Sequence, residues 1–252
     1  VSLTSVDLAA DEPGETGAFL GRFDEASLRR ELQDSGLLAA LRDKGYDDAR
    51  VQVDCAGGEH RLRVLPREGR VALVDLRVTE PAFLLEPEGE APEVLSALEI
   101  RWLALQNPGA RFTRERPRLP GQRHPGLGLG RAMIARVLSW AAAWGKDALL
   151  SLPQYFHNAV FYSPPSLFVS PRLQGRFLAL RRDLAALHVA AASAAVARGD
   201  VVEEPGGEPF RWEPGEMAVA LTPRLERHLG GEAYARDVAS ARDTSRFRLK
   251  RR

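Results

Sequence analysis

The chain has 252 residues, 44% of them hydrophobic and 27% charged, which suits one large domain or one domain with an appendage. Lys and Arg total 35 against 34 Asp and Glu, so no global charge signal points to nucleic acid, and only local patches argue for anionic partners. The single cysteine, Cys55, excludes an intrachain disulfide framework and a cysteine-rich zinc site, and no apolar run approaches the roughly 20 residues of a membrane-spanning helix.

Residues 1–22 mix Gly, Pro, Ser, Thr and acids and read as a loose leader. They lack the basic-then-apolar order of a signal peptide, so a soluble cytoplasmic protein is expected. Asp24 or Ser27 can cap a helix reaching about residue 44, with Leu28, Leu32, Leu37, Leu38 and Leu41 as its apolar face and Gly45 as its stop. Three extended runs follow, at 51–55, 60–65 and 71–78, separated by Gly57-Gly58 and Glu68-Gly69, which suit hairpins. Cys55 in the first run reads as a small buried apolar residue. Residues 84–92 are acidic and read as a loop. Residues 98–105 alternate as a strand, with Leu98, Ile100 and Trp102 on one side and Glu99, Arg101 and Leu103 on the other.

From 106 to 130 there is no periodicity, and Pro108, Pro117, Pro120 and Pro125 forbid regular structure; a loop of that length is commonly functional. A helix is predicted over 131–144, with Ile134, Val137, Leu138 and Ala141 at helical spacing and Gly145 ending it. A short strand at 148–152, one or two helical turns at 155–162 and a short strand at 167–169 come next. Ser170-Pro171 reads as the start of a helix extending to about Arg198, with Gly175 as its weak point. The Ala-rich stretch 185–197 suits a packed helix or a homodimer surface. Residues 200–216 read as a loop, 217–221 as a last strand, and a helix from about Pro223 leads into a basic tail read as a disordered terminus. The implied divisions are a leader at 1–22, a core at 23–170, a helical extension with a closing strand at 171–240, and the tail at 241–252.

The informative segment is 98–169. Gly126-Leu127-Gly128-Leu129-Gly130-Arg131 puts glycines where backbone can approach a ligand closely, at the start of a helix whose amides and dipole favour a phosphate. The spacing is G-x-G-x-G rather than G-x-G-x-x-G, and the preceding strand lies about twenty residues upstream, which argues against a dinucleotide site. Arg111, Arg114, Arg116, Arg118 and Arg123 face one glutamate in the preceding loop, and either grip a phosphate or acidic substrate or form solvated surface. His60, His124, His157, His188 and His228 show no metal-ligand spacing, so no metal is expected. His157 beside Asn158 is either a substrate contact or a helix cap. No serine nucleophile elbow or Cys/His pair is visible.

The segment GLGLGRAMIARVLSWAAAWGKDALLSLPQYFHNAVFYS, residues 126–163, resembles the GNAT superfamily of N-acetyltransferases. There a fourth strand leads into an Arg/Gln-x-x-Gly-x-Gly/Ala turn that binds the pyrophosphate of acetyl-CoA. A helix, a fifth strand and a short helix with Asn and Tyr follow. The resemblance implies an α/β fold with a central mixed, mostly antiparallel sheet flanked by helices, here with a helical C-terminal extension. It also implies transfer of an acyl group, acetyl first, from acetyl-CoA to an amine of a small molecule or protein.

Two registers of the turn stay open. With Gly130-Arg131-Ala132 at its end, Pro125 takes the Arg/Gln position; with Arg123 there, Gly126 and Gly128 fit and the helix starts two residues late. The resemblance makes Arg123, Gly126, Leu127, Gly128, Leu129, Gly130, Arg131 and Asn158 cofactor-binding candidates, and the backbone of Leu103, Ala104 and Leu105 the partner of the pantetheine arm. Glu99 is the implied base for amine deprotonation. Tyr162, one position before the family's usual place at Ser163, is the implied acid for the departing thiolate, with Tyr155 second. Two other functions compete: a non-catalytic module of the same fold binding a CoA ester or nucleotide, and a nucleic-acid or protein-interaction domain using the arginine loop and tail. No membrane partner is expected.

Overall fold

The computed structural model describes residues 3–6, 18–85 and 92–250. Strand β1 (Leu3–Val6) pairs antiparallel with residues 82–85, so part of the expected leader belongs to a sheet. Asp24 caps α1 (Glu25–Asp34), its carboxylate accepting from the Ser27 N–H at 2.7 Å. The chain breaks at Ser35-Gly36, and α2 (Leu37–Arg42) follows. The single helix expected to residue 44 is therefore two, because the turn there competes with helix continuation. Leu28, Leu32, Leu37, Leu38 and Leu41 are all buried as their spacing predicts.

Strands β2 (Arg50–Ala56), β3 (Glu59–Leu65) and β4 (Val74–Thr79) form antiparallel neighbours. Cys55 is exposed on the edge strand β2, its Sγ 3.1 Å from His60 Nδ1, which corrects its reading as a buried residue. β5 (Ala82–Leu85) stands where the acidic loop was expected to begin; residues 86–91 of that loop lie outside the described residues. β6 (Glu93–Leu105) starts five residues earlier than its alternation suggests. Then come α3 (Gly130–Ala143), β7 (Ala148–Ser151), α4 (Phe156–Tyr162) and β8 (Leu167–Phe168).

The extension begins with α5 (Pro171–Asp183), capped by Ser170, and α6 (Val189–Arg198), so the long helix predicted here is divided. Gly175 is not its break. A Cβ at that position would lie 2.5 Å from the Val238 carbonyl oxygen and 2.6 Å from the Ala241 Cβ, so the missing side chain lets a later helix approach. β9 (Val201–Glu203), β10 (Met217–Ala220), α7 (Pro223–Leu229), α8 (Glu232–Thr244) and β11 (Phe247–Leu249) complete the chain. β11 pairs with β9, and Phe247 packs on Phe210 at 4.9 Å between ring centres. Residues 247–249 of the tail are thus a strand held by Phe247, where a disordered terminus was expected.

Among the described residues nine strands form one sheet, in the order β2-β3-β4-β6-β7-β10-β8, with β5 and then β1 added along the first half of β6. Every pairing is antiparallel except that of β6 with β7. The protein is α/β, with a mostly antiparallel sheet flanked by helices. α1, α2 and α3 cover one face, burying Leu62, Leu76, Leu98, Ile100 and Leu149. On the other face Ala97, Ala148, Leu150 and Ala218 share a core with Leu225 and Leu229 of α7 and Tyr234 of α8. A third core joins α4, α5 and α6 through Phe156, Phe168, Phe177 and Ala195. No helix among the described residues is long and apolar enough to cross a membrane.

One irregularity in β6 matters for the site. Val78 pairs with Ile100 but Arg77 pairs with Trp102, so Arg101 is the extra residue of a β-bulge. An extra residue reverses the alternation beyond it. Leu103 therefore packs with Leu98 and Ile100 on the α3 face, while Trp102, expected on that face, is 50% exposed.

Candidate functional site

β6 and β7 pair only where Ala97–Ile100 meets Ala148–Ser151. β7 ends there, and β6 continues for five residues with no strand on that edge, so the sheet opens into a fork. The ladder to β4 decides which backbone groups face the opening. The Gln106 N–H reaches the Leu73 carbonyl at 2.8 Å, and alternation then turns Ala104 towards β4 and both Leu103 and Leu105 towards the fork. The Leu105 carbonyl already accepts from the Leu127 N–H at 3.3 Å. Of the three residues expected to pair with pantetheine, Leu103 thus offers both its polar groups, Leu105 its N–H alone, and Ala104 neither.

The glycine-rich turn folds back over the end of β6. Gln106 and Gly126 form an isolated bridge, and the Asn107 N–H reaches the Pro125 carbonyl at 2.7 Å. Leu127 is 3% exposed, and Leu129 packs partly buried on the same core. The alternation glycine-leucine-glycine-leucine-glycine therefore plugs two leucines into the core while Gly126, Gly128 and Gly130 face solvent. Leu127 is an anchor with its amide spent, not a ligand contact. Gly128 has a φ of +76°, and nothing lies within 4 Å of where its Cβ would stand. The N–H groups of Gly128, Leu129, Gly130, Arg131 and Ala132 bond no acceptor among the described residues, and the N-cap Leu129 supplies no side-chain cap. Five unspent amides at the positive end of a 14-residue helix make an anion-binding arrangement.

Arg111, Arg114, Arg116, Arg118, Arg123 and Arg131 are exposed, and no described carboxylate lies within ion-pair distance of them. The loop that carries them is irregular, as expected, yet held. Tyr46 donates its hydroxyl to Asn107 Oδ1 at 2.6 Å, and Gln122 Oε1 accepts from the Leu119 N–H at 3.1 Å. The Tyr155 ring packs on the backbone at Gly121, tying the loop to the start of α4.

On the far side of the fork Glu99 accepts from the Thr79 hydroxyl at 3.1 Å and from Arg101 at 3.0 Å. Glu216, just before β10, stands on the same sheet face; the surrounding protein, and then the Glu99 charge, raise its pKa even though one side of it is open to solvent. Tyr162 packs against the core of α4, α5 and α6 rather than lying free in the fork, and burial raises its pKa. Asn158 Oδ1 accepts from the Tyr155 N–H at 3.2 Å and so serves the helix start. His157 is 4% exposed, with Nδ1 2.8 Å from the Ser193 hydroxyl, and burial lowers its pKa to about 4. It is a neutral core imidazole joining α4 to α6, not a substrate contact or a cap. The sequence reading missed Thr79, Arg101 and Glu216. Glu216 lies in a Pro/Gly/Glu loop with no local pattern, and only the strand pairing brings it near Glu99.

Two recesses occur in the C-terminal half. One, of about 490 Å³, is lined by Arg172, Arg176, Glu203 and Asp237, and its Arg176–Glu203 pair at 2.6 Å already satisfies both charges. The other is a narrow gap beside the rings of Phe168, Phe177 and Trp212. Neither offers a run of unspent backbone amides like that at the fork, so the fork is the stronger site on chemical grounds. No described group of His, Cys, Asp and Glu could hold a metal ion. Comparison with known proteins adds no neighbour: no family model matches the chain, and neither a curated protein nor a solved structure does so.

Proposed function

We propose that this chain is a GNAT-type N-acyltransferase that moves an acyl group, acetyl first, from acetyl-CoA to an amine. The observation that carries the reading is the coincidence of a parallel strand pair that opens at Ile100 and Ser151 with an uncapped, glycine-bounded helix start at the same opening. The open space at Gly128 fits a phosphate group, and Arg123, Arg131 and the loop arginines supply the positive field a CoA tail requires. Acetyl-CoA supplies the thioester. The free Leu103 groups would hold its arm by β-type pairing. Glu99, fixed by Thr79 and Arg101, would accept the amine's proton directly or through water. Tyr162 is the proposed donor to the thiolate, a role that requires it to turn out of its packing against the α4–α6 core.

The test is thiol release from acetyl-CoA across a panel of primary amines. Glu99→Gln is expected to lower kcat/KM by about a hundredfold, most at low pH where little free amine exists, with acetyl-CoA affinity kept. A loss below about threefold would make Glu99 structural. The packing of Tyr162 into the α4–α6 core favours a second reading, a binding module without turnover. Tight acetyl-CoA binding without thiol release to any amine would select it.

A further inference from the structure

We propose that the amine received at this fork is a linear diamine, with Glu216 holding the ammonium that does not react. The inference rests on the transferase reading and adds the acceptor's chemical class.

Glu99 pairs across to Leu150 in β7, and Met217 pairs with Ser151, so Glu216 stands opposite Leu152. Ala97, Leu150 and Ala218 share one core, which puts Glu99, Leu152 and Glu216 on that same face by alternation. Strand spacing and rise place the two glutamate Cα atoms about 12 Å apart, with Leu152 between them. Leu152 is 36% exposed and Trp102, beyond the bulge, 50% exposed, so both present apolar surface near the open end of the strand pair.

The charges at this mouth are unequal. Glu99 is matched by Arg101 at 3.0 Å, whereas Glu216 has no cation within ion-pair distance among the described residues. The surrounding protein, and then the Glu99 charge, raise the pKa of Glu216. An amine that must lose its proton to attack a thioester cannot remain the counter-ion of Glu216. A second ammonium can. Glu99 leans towards Thr79 on β4, so with Glu216 reaching inward the span suits a chain of at least roughly five methylenes lying over Leu152.

Calorimetric titration of 1,5-diaminopentane and 1-aminopentane into the CoA-saturated protein tests this without requiring turnover. The diamine is expected to bind at least about tenfold more tightly than the monoamine. That ratio should fall close to one in Glu216→Gln and partly recover in Glu216→Asp, with circular dichroism confirming the fold of both. Equal affinities in the wild type, no diamine binding, or a preference that survives Glu216→Gln would overturn the proposal. Thiol release from acetyl-CoA, followed in parallel, separates the two readings. Its absence with every amine, alongside Glu216-dependent diamine binding, removes the transferase reading and leaves diamine recognition. Monoamine turnover as fast as diamine turnover, without a binding preference, does the reverse.

Discussion

His157 and Ser193 are buried together between α4 and α6, and the protonation state of the imidazole sets what the pair contributes. With the folded pKa near 4 and the unfolded value at 6.5, the unfolded chain binds more protons between those limits. The contribution is therefore full above about pH 6.5 and is lost as pH falls through the window to about 4. The shift corresponds to about 3 kcal/mol. His157→Gln retains a hydrogen-bonding group without titrating there. The wild type's stability advantage over it, read from urea unfolding, should narrow by about 3 kcal/mol between pH 7 and pH 4. A constant gap would mean that the imidazole is solvated. At this scale the sequence was partly legible. Glu99 was named from the family resemblance and its place on the strand, whereas the depth of His157 depended on Ser193 of α6, 36 residues away and without a local signal.

Among the elements, α5 and α8 are joined most closely at Gly175, which sequence reading marked as a helix weakness. Alanine has the higher helix propensity, so an isolated helix would gain up to about 1 kcal/mol from Gly175→Ala. Here the new Cβ would meet the Val238 carbonyl oxygen at 2.5 Å and the Arg242 nitrogen at 2.8 Å, both backbone atoms that cannot swing aside. Overpacking wins, with an expected net loss of about 1–3 kcal/mol and a lower Tm. A raised Tm would show that the two helices can part at no cost. The hairpins of β2 to β4 and the cap of α1 were legible because glycine pairs and Asp24 act locally. The bulge at Arg101 was not. It has no residue signature, and it alone moves Trp102 from the core face to the mouth of the fork. β5 and β11 were also hidden, since each is short; β5 takes one of its two partners, β1, and β11 its partner β9, from a distant part of the chain.

For the whole molecule, the strand-turn-helix-strand order of residues 98–151 was legible because three of its parts have local signals: alternation, glycines and a 3.6-residue period. What it could not convey is that β7 stops at Ser151 while β6 runs on, or that the leucines of the turn fill the core and leave its glycines outward. Those facts make one opening from separate elements and bring the unspent amides to it. Calorimetric titration of acetyl-CoA into wild-type protein and Gly128→Val tests that opening most directly. Valine at a φ of +76° is strained and would place its methyl groups in the space assigned to phosphate. The account predicts saturable binding to the wild type and affinity at least about tenfold weaker in a variant with an unchanged circular-dichroism spectrum. Equal affinity in a folded Gly128→Val protein, or no binding to the wild type, would contradict it.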